Sequence, residues 1–500
     1  MNAKDLTLAI DVGTGSVRSA LVDRAGNVVA FDNHGHEQIV PRFGWSEQRP
    51  TEWWEGAVAS VRGVLAKVAG AASRVAAVAV CGQMHGTVLL DDDGRLVRET
   101  APLWNDKRTQ ELVVAFRERH PDGRYMQLTG NPAAPAWPGF KLQWFQRHEE
   151  DVYRRTKTVL MPKDWVNYRL TGERAFDITE ASLSFMMDAG SFTWSPEMLD
   201  LLGIDGAKLP PIHRPTDILG AVTARAAAET TLLAGTPVLA SASDFPMALL
   251  GSGACRPGRG SDVTGTSSLV TLMGARPIVH PELCNTATPN ALWGAFVIVD
   301  AGGDAMRWAR RAFHENALDF DAIVAKAAQA PAGADGLFFL PYLSGERLGA
   351  KTNSRAQLFG LTASHGLAHL HRAVLEGVAF GLRRVVATMR GAGARLERLM
   401  ASGGGAKTRL WLRIKASMLD TPVVVPAEPE CGVIGCAALA RTALGDFPSP
   451  EAAADELVRF QEEIVPDPAW RDRYDRMAPV FDRLYVQSQA VYDDLDRLLA

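Results

Sequence analysis

No apolar run in this chain is long enough to span a bilayer. No basic excess marks a face for nucleic acid or for a membrane surface, since 53 Lys and Arg stand against 57 Asp and Glu, a formal net charge of -4. Cysteine is scarce. The five present (Cys81, Cys255, Cys284, Cys431, Cys436) are odd in number and nowhere spaced as Cys-x-x-Cys. That argues against a disulfide framework or a zinc site and fits unpaired thiols in a reducing cytoplasm. Several catalytic signatures are also missing: no Gly-x-Ser-x-Gly elbow, no His-Glu-x-x-His pair and no Cys/His zinc spacing. The Met1 to Leu6 leader lacks a long apolar core, so no secretory signal is expected. The expected location is cytoplasmic, with neither a nucleic-acid nor a membrane partner.

What is present is the balance of an ordinary globular enzyme, 47% hydrophobic and 22% charged residues. Five hundred residues exceed one core, so two domains and a tail are expected. The organising stretch is Leu6 to Arg18. Leu6, Leu8 and Ile10 alternate with Thr7 and Ala9 as in a strand, and Asp11 closes it. Gly13, Thr14, Gly15 and Ser16 then form a tight turn of bare backbone and two hydroxyls, with Arg18 just beyond. Such a turn can cradle an anion, and a carboxylate beside a phosphate cradle points to hydrated Mg²⁺. A hairpin turn with a satisfied Asp fits these residues equally well.

Further along, Pro50-Thr51 starts a helix with Thr51 as N-cap and an apolar face of Trp54, Val58, Val61, Leu65 and Val68. Val75 to Val80 reads as a buried strand running into Gln83-Met84-His85-Gly86. That loop can line a pocket for a small polar molecule, or His85 can simply bond local backbone. Trp104-Asn105-Asp106 offers an aromatic face and an amide for a hydroxylated ligand, or else a helix start with Trp104 in the core. Pro237 to Ala240 is a strand leading to Asp244, a candidate general base or a helix N-cap. Gly251 to Gly260 marks the domain junction. Directly after it, Asp262-Val263-Thr264-Gly265-Thr266-Ser267-Ser268 repeats the character of Asp11 to Ser16, which implies a pseudo-repeated fold. Gly377 and Gly381 point to close packing of a long helix. Ser402 to Ala406 carries three glycines against which a flat ring could lie. Pro466 to Ala500 reads as a charged amphipathic helix.

The order of these motifs resembles the FGGY family of carbohydrate kinases over nearly the whole chain. Asp11-Val12-Gly13-Thr14 with Arg18 is similar to the family's first phosphate motif, and Gly265-Thr266-Ser267-Ser268 to its second. Gly403-Gly404-Gly405 with Trp411 is similar to its adenosine motif, and Leu358-Phe359-Gly360-Leu361 with Ala373-Val374-Leu375-Glu376 to its C-terminal signature. The resemblance implies an α/β fold of two ribonuclease-H-like domains, of the actin/Hsp70/hexokinase type, flanking an active-site cleft. The implied division is 1-250 with the sugar site and first phosphate motif, 251-445 with the second phosphate and adenosine motifs, and a helical tail over 446-500 packed on the body. It implies ATP and Mg²⁺ as cofactors and a homodimer as the assembly. Asp244 would be the catalytic base. Asp11, through water, and Asp244 would hold the metal. Met84, His85, Trp104, Asn105, Asp244 and Phe245 would meet the sugar. Gly13, Thr14, Gly15, Ser16, Arg18, Gly265, Thr266, Ser267, Gly303, Gly404, Gly405 and Ala406 would meet ATP.

Within the family, Gly82 to Gly86, Trp104 to Asp106 and Ser344-Gly345-Glu346-Arg347 are similar to members that phosphorylate D-xylulose at its terminal hydroxyl. Those members carry Asn after the catalytic Asp, where this chain has Phe245. After the Glu-Arg pair they carry Thr-Pro-His, where this chain has Leu348-Gly349-Ala350. Another ketose or a polyol is therefore the alternative substrate. An actin- or Hsp70-like nucleotide switch is the alternative from another class; it needs neither Asp244 nor the Gln83 to Gly86 loop.

Overall fold

The computed structural model describes residues 4–314, 316–346 and 353–499. Arg347 and Leu348-Gly349-Ala350 lie outside the described residues. The chain divides into two compact units: Met1–Cys255 with Cys284–Gly294 and Glu430–Val458, and Arg256–Leu283 with Ala295–Pro429 and Arg459–Ala500.

The first unit is built on a six-stranded sheet in the order Ile218–Ala221, Pro237–Leu239, Val75–Gly82, Leu6–Val12, Ser16–Val22, Val28–Gly35. The three strands Pro237–Leu239, Val75–Gly82 and Leu6–Val12 are mutually parallel, and the opening meander is antiparallel as expected. Side-chain alternation gives the sheet two different faces. Leu8, Ile10, Val78 and Val80 pack in one core with Trp53, Trp54, Ala57 and Val61 of helix Pro50–Lys67. Ala9, Ala77, Ala79 and Cys81 face the other way, toward the Gly/Ala-rich helix Cys431–Ala443. Small side chains on both sides let that helix approach closely. It also crosses helix Asp244–Gly251 backbone to backbone: a Cβ on Gly251 would fall 1.8 Å from Cys431 O, and one on Gly435 2.2 Å from Met247 O.

Three local expectations shift. The cap of helix Pro50–Lys67 is Arg49, not Thr51, because Pro50 takes the first helical position. Its fully buried face is Trp53, Ala57, Val61 and Val64, with Val58 and Leu65 at the margin. The packing of 430–458 also departs from the expected division. Helix Cys431–Ala443 and helix Pro450–Leu457 join the first unit, because their alanines meet the small-residue face of its sheet.

The second unit repeats the topology. Six of the seven strands of its sheet run Trp293–Val299, Ser268–Gly274, Gly258–Thr264, Leu396–Ser402, Val423–Pro426, Phe460–Ile464. Again a hairpin pair is followed by parallel neighbours and an antiparallel edge strand. The last part of the chain, Arg459–Ala500, belongs to this unit. Phe460–Ile464 completes this sheet, and helix Pro468–Leu499 packs on helix Arg409–Leu419. In helix Leu367–Gly391 a Cβ on Gly377 would lie 2.2 Å from Phe339 O, the close packing read from its spacing. Among the described residues, no helix is long and apolar enough to cross a membrane.

Candidate active site

Three parallel strands of the first unit end side by side, and each releases a candidate group at its carboxyl end, where α/β sheets place ligands. Leu6–Val12 carries Asp11, Val75–Gly82 runs into Gln83 to Gly86, and Pro237–Leu239 leads to Asp244. In the sheet register Asp11 lies between Arg18 and Cys81. Its Oδ2 pairs with Arg18 Nη2 at 3.0 Å, and Arg18 Nη1 reaches Glu430 Oε2, also at 3.0 Å. Asp11 Oδ1 is buried and has no partner among the described residues. Burial raises the Asp11 pKa, Arg18 and, more weakly, the neighbouring Cys81 thiol oppose the rise, and Glu430 adds to it. An orphaned, partly neutralised carboxylate oxygen at a strand's end suits a hydrated cation.

The turn Gly13 to Ser16 is both a hairpin and a pinned loop. Gly13 N–H donates to Ser16 O at 3.1 Å. A Cβ on Gly13 would press on Arg18 Nη2 at 3.0 Å, whereas the space above Gly15 is open. Thr14 is held from three directions. Its hydroxyl donates to Gln83 Oε1 at 3.2 Å and accepts from Trp104 Nε1 at 3.2 Å, and its carbonyl accepts from Gln48 Nε2 at 2.6 Å. Gln48 is fully buried, and its Oε1 receives Gln83 Nε2 and Trp53 Nε1. Trp104 is therefore exposed and tied to the turn, not packed in the core.

Lys141 brings the next two loops together. Its buried ammonium donates to His85 O at 2.5 Å and Leu103 O at 2.7 Å. Burial pulls its pKa down to about 7. Burial, with Lys141 nearby, lowers His85 to about 3, so the ring is neutral. His85 Nδ1 lies 3.1 Å from Leu183 O, a distant carbonyl and not local backbone. A neutral ring bonded that way donates from Nδ1 and keeps Nε2 as an acceptor. Met84 is half-buried, and Asn105 Oδ1 is buried without a partner among the described residues. Asp106 serves the scaffold, accepting from Ser46 N–H at 2.7 Å and pairing with Arg108.

Asp244 is the first residue of its helix, with Ser243 at the cap, and its Oδ1 accepts from Phe245 N–H at 2.6 Å. Burial, followed by the Asp11 carboxylate, pushes its pKa up to about 7, against that hydrogen bond and Arg18. Phe245 is half-buried beside it.

In the second unit, the turn after Gly258–Thr264 is used differently. Gly302, Gly303 and Asp304 N–H groups donate to Thr266, Gly265 and Thr266 carbonyls at 3.1, 2.8 and 3.1 Å, so the Gly303 N–H is already engaged. Gly265 has open space above it. Of the three glycines expected to admit a ring, two are required by protein contact. A Cβ on Gly403 would lie 2.7 Å from Thr264 O, and one on Gly405 2.6 Å from Thr264 Cγ2. Only Gly404 opens to free space, and Ala406 N–H closes a short turn on Gly403 O. Asp262 does not repeat Asp11, since Lys415 neutralises it.

Among the described residues, no three or more His, Cys, Asp or Glu side chains gather as a direct metal site. Sequence reasoning missed Gln48 and Lys141, both of which fasten these loops from far along the chain.

The chain is similar to known proteins along its whole length. Residues 6–251 match the model for the FGGY family of carbohydrate kinases, N-terminal domain, and residues 261–444 match its C-terminal domain. Xylulose kinase of Escherichia coli K12 is 30% identical over 489 residues, 96% of this chain and 98% of that protein. Xylulose kinase from Rhodospirillum rubrum aligns with a TM-score of 0.93 at 32% identity, covering 98% of this chain and 100% of that one. Gluconate kinase from Lactobacillus acidophilus follows at 0.92 and 25%, with the same coverage. Both domains, matched in order along a chain that is similar to sugar kinases from end to end, make it a sugar kinase that belongs to the FGGY family of carbohydrate kinases.

Proposed function

We propose that this enzyme transfers the γ-phosphoryl group of ATP to the terminal hydroxyl of D-xylulose, giving D-xylulose 5-phosphate and ADP. The observation that carries the proposal is the pair of strand-end carboxyls with separated roles. Asp244, with its pKa near 7, can accept a proton near neutral pH. Asp11 pairs with Arg18 through one oxygen and leaves the other without a partner. Asp244 takes the hydroxyl proton as the sugar oxygen bonds the γ-phosphorus, and the bond to the β–γ bridging oxygen breaks to release ADP. Mg²⁺, when bound, offsets negative charge on the phosphate oxygens, and Asp11 Oδ1 would hold it through water. The open glycines Gly15, Gly265 and Gly404 leave backbone accessible to phosphate and nucleotide.

The sugar assignment rests on the relatives named xylulose kinase and on the loop pair that Lys141 joins. His85 Nε2 accepts from a sugar hydroxyl, Trp104 covers an apolar edge and Asn105 supplies an amide. The test is a phosphorylation screen of the pure protein over ketoses, aldoses, polyols and gluconate, reading ADP. The highest kcat/KM is expected with D-xylulose. A higher value with gluconate or a polyol overturns the sugar, and no sugar-stimulated ADP at all overturns the transfer itself.

A further inference from the structure

The four residues that lead from strand Pro237–Leu239 to Asp244 are gripped from outside at both ends. At the near end, Ala240 O accepts from Lys163 Nζ at 3.2 Å and Asn167 Nδ2 at 3.0 Å. Ser241 follows with φ 65°, a left-handed backbone that a serine adopts only where its surroundings impose it. At the far end, Ser243 N–H and Ser243 Oγ–H both donate to one atom, Thr179 Oγ1, at 2.9 and 3.0 Å. Thr179 Oγ1–H in turn donates to Asp177 Oδ1 at 2.5 Å, as does Thr179 N–H at 2.7 Å. Asp177 Oδ2 pairs with Lys163 Nζ at 2.8 Å.

All of these side chains are buried. A hydroxyl offers one donor and two acceptor lone pairs, and Thr179 uses all three. Burial pulls the Lys163 ammonium toward its neutral form, but the carboxyls of Asp164, Asp177 and Glu180 outweigh it and hold its pKa raised. One ammonium thus anchors Asp177, which anchors Thr179, and it also holds Ala240 directly. Ser243 is the cap of the helix whose first residue is Asp244, and its own side chain makes no cap bond there. Without Thr179, its amide and hydroxyl would have no acceptor among the groups described.

We propose that Thr179 is a positioning residue for phosphoryl transfer: through Ser243 it fixes the direction in which Asp244 presents its carboxylate. The proposal rests on Asp244 being the base. Thr179→Val keeps the shape and removes the hydroxyl. Misplacing a reacting group by an ångström can cost about a hundredfold in rate, so kcat should fall roughly 10- to 100-fold with KM for ATP within about twofold. Thr179→Ser retains the oxygen and should restore kcat to within about threefold of the parent. Removing the carboxylate makes its placement irrelevant. The double variant Thr179→Val/Asp244→Asn should therefore turn over no more slowly than Asp244→Asn alone.

Melting temperatures of each variant report folding separately. If Thr179→Val does not fold, Ser243→Ala, which deletes only the 3.0 Å bond, enters the same cycle. An unchanged kcat in the single variant, or a double variant slowed by the product of both losses, overturns the positioning role while leaving the base intact. Near-parent turnover in Asp244→Asn overturns the base itself.

Discussion

Lys415 Nζ lies 2.5 Å from Asp262 Oδ2 and 2.7 Å from Thr264 Oγ1, with all three side chains buried. Asp262 lies two pairs from the closing pair of its hairpin, on the strand of the second unit that matches in topology the strand carrying Asp11, which lies one pair from its own closing pair. The same topology thus carries two different carboxylates, one neutralised by a lysine and one with an unpartnered oxygen.

Breaking a buried pair by removing one partner strands the other charge and costs about 3–5 kcal/mol. Lys415→Met should lose that much in a denaturant titration. Adding Asp262→Asn should recover part of it, because the stranded charge is gone. A loss below about 1 kcal/mol in the single variant would show that Asp262 tolerates isolation, and the contrast with Asp11 would fall.

Asp244→Asn keeps the volume and cannot accept a proton, so turnover should drop by roughly 10²–10⁴. In the parent, kcat/KM should rise with pH up to about 7 and level off above it, because the ionised carboxyl is the working form. The variant should lack that limb. Stability runs the opposite way. The folded-state pKa is raised above the unfolded carboxylate value, so the parent loses stability as pH climbs from the acid range through about 7. The melting temperature of Asp244→Asn relative to the parent should therefore be higher at pH 8 than at pH 5. An equal difference at both pH values would mean that Asp244 is not perturbed.

Asp11→Ala removes the orphaned oxygen and also one partner of Arg18, which keeps Glu430. The Mg²⁺ concentration for half-maximal rate should rise by about tenfold or more if Asp11 holds the ion through water. A metal titration that superimposes on the parent's would remove Asp11 from the metal site.

Much of this was legible where the signal is local. Asp11 with its glycine turn, the strand before Met84-His85 and the strand before Asp244 each occupy a few consecutive residues, and alternation plus glycine suffices to read them. The groups that aim these loops were not legible. Lys141 sits in an ordinary helix pattern and reaches His85 and Leu103 from 56 and 38 residues away. Thr179 follows Asp177 as any capped helix start does, and meets Ser243 at a separation of 64. Their roles come from packing, which periodicity does not encode. Gly403 and Gly405 were legible as glycines, but the close approach of Thr264 that also requires them was not. The return of helix Cys431–Ala443 to the first sheet depends on a match between its small side chains and Ala9, Ala77 and Ala79, over 350 residues earlier by number.

Phe245 is the residue through which the sugar is tested. It directly follows the base, its N–H holds Asp244 Oδ1, and its side chain is half-buried on the same helix turn. A phenyl ring can neither donate nor accept a conventional hydrogen bond. A sugar hydroxyl pressed against it without a partner would cost about 1–3 kcal/mol, roughly tenfold to a hundredfold in kcat/KM. Phe245→Asn leaves the backbone bond to Asp244 in place and adds an amide that can do both. With D-xylulose as substrate, kcat/KM should therefore rise in the variant relative to a sugar that lacks the hydroxyl at that position. If the ratio between the two sugars is unchanged while turnover is retained, the ring does not face the sugar, and selectivity must come from the loops that Lys141 joins. Lys141→Met should then be the variant that lowers discrimination, through release of His85 and Leu103.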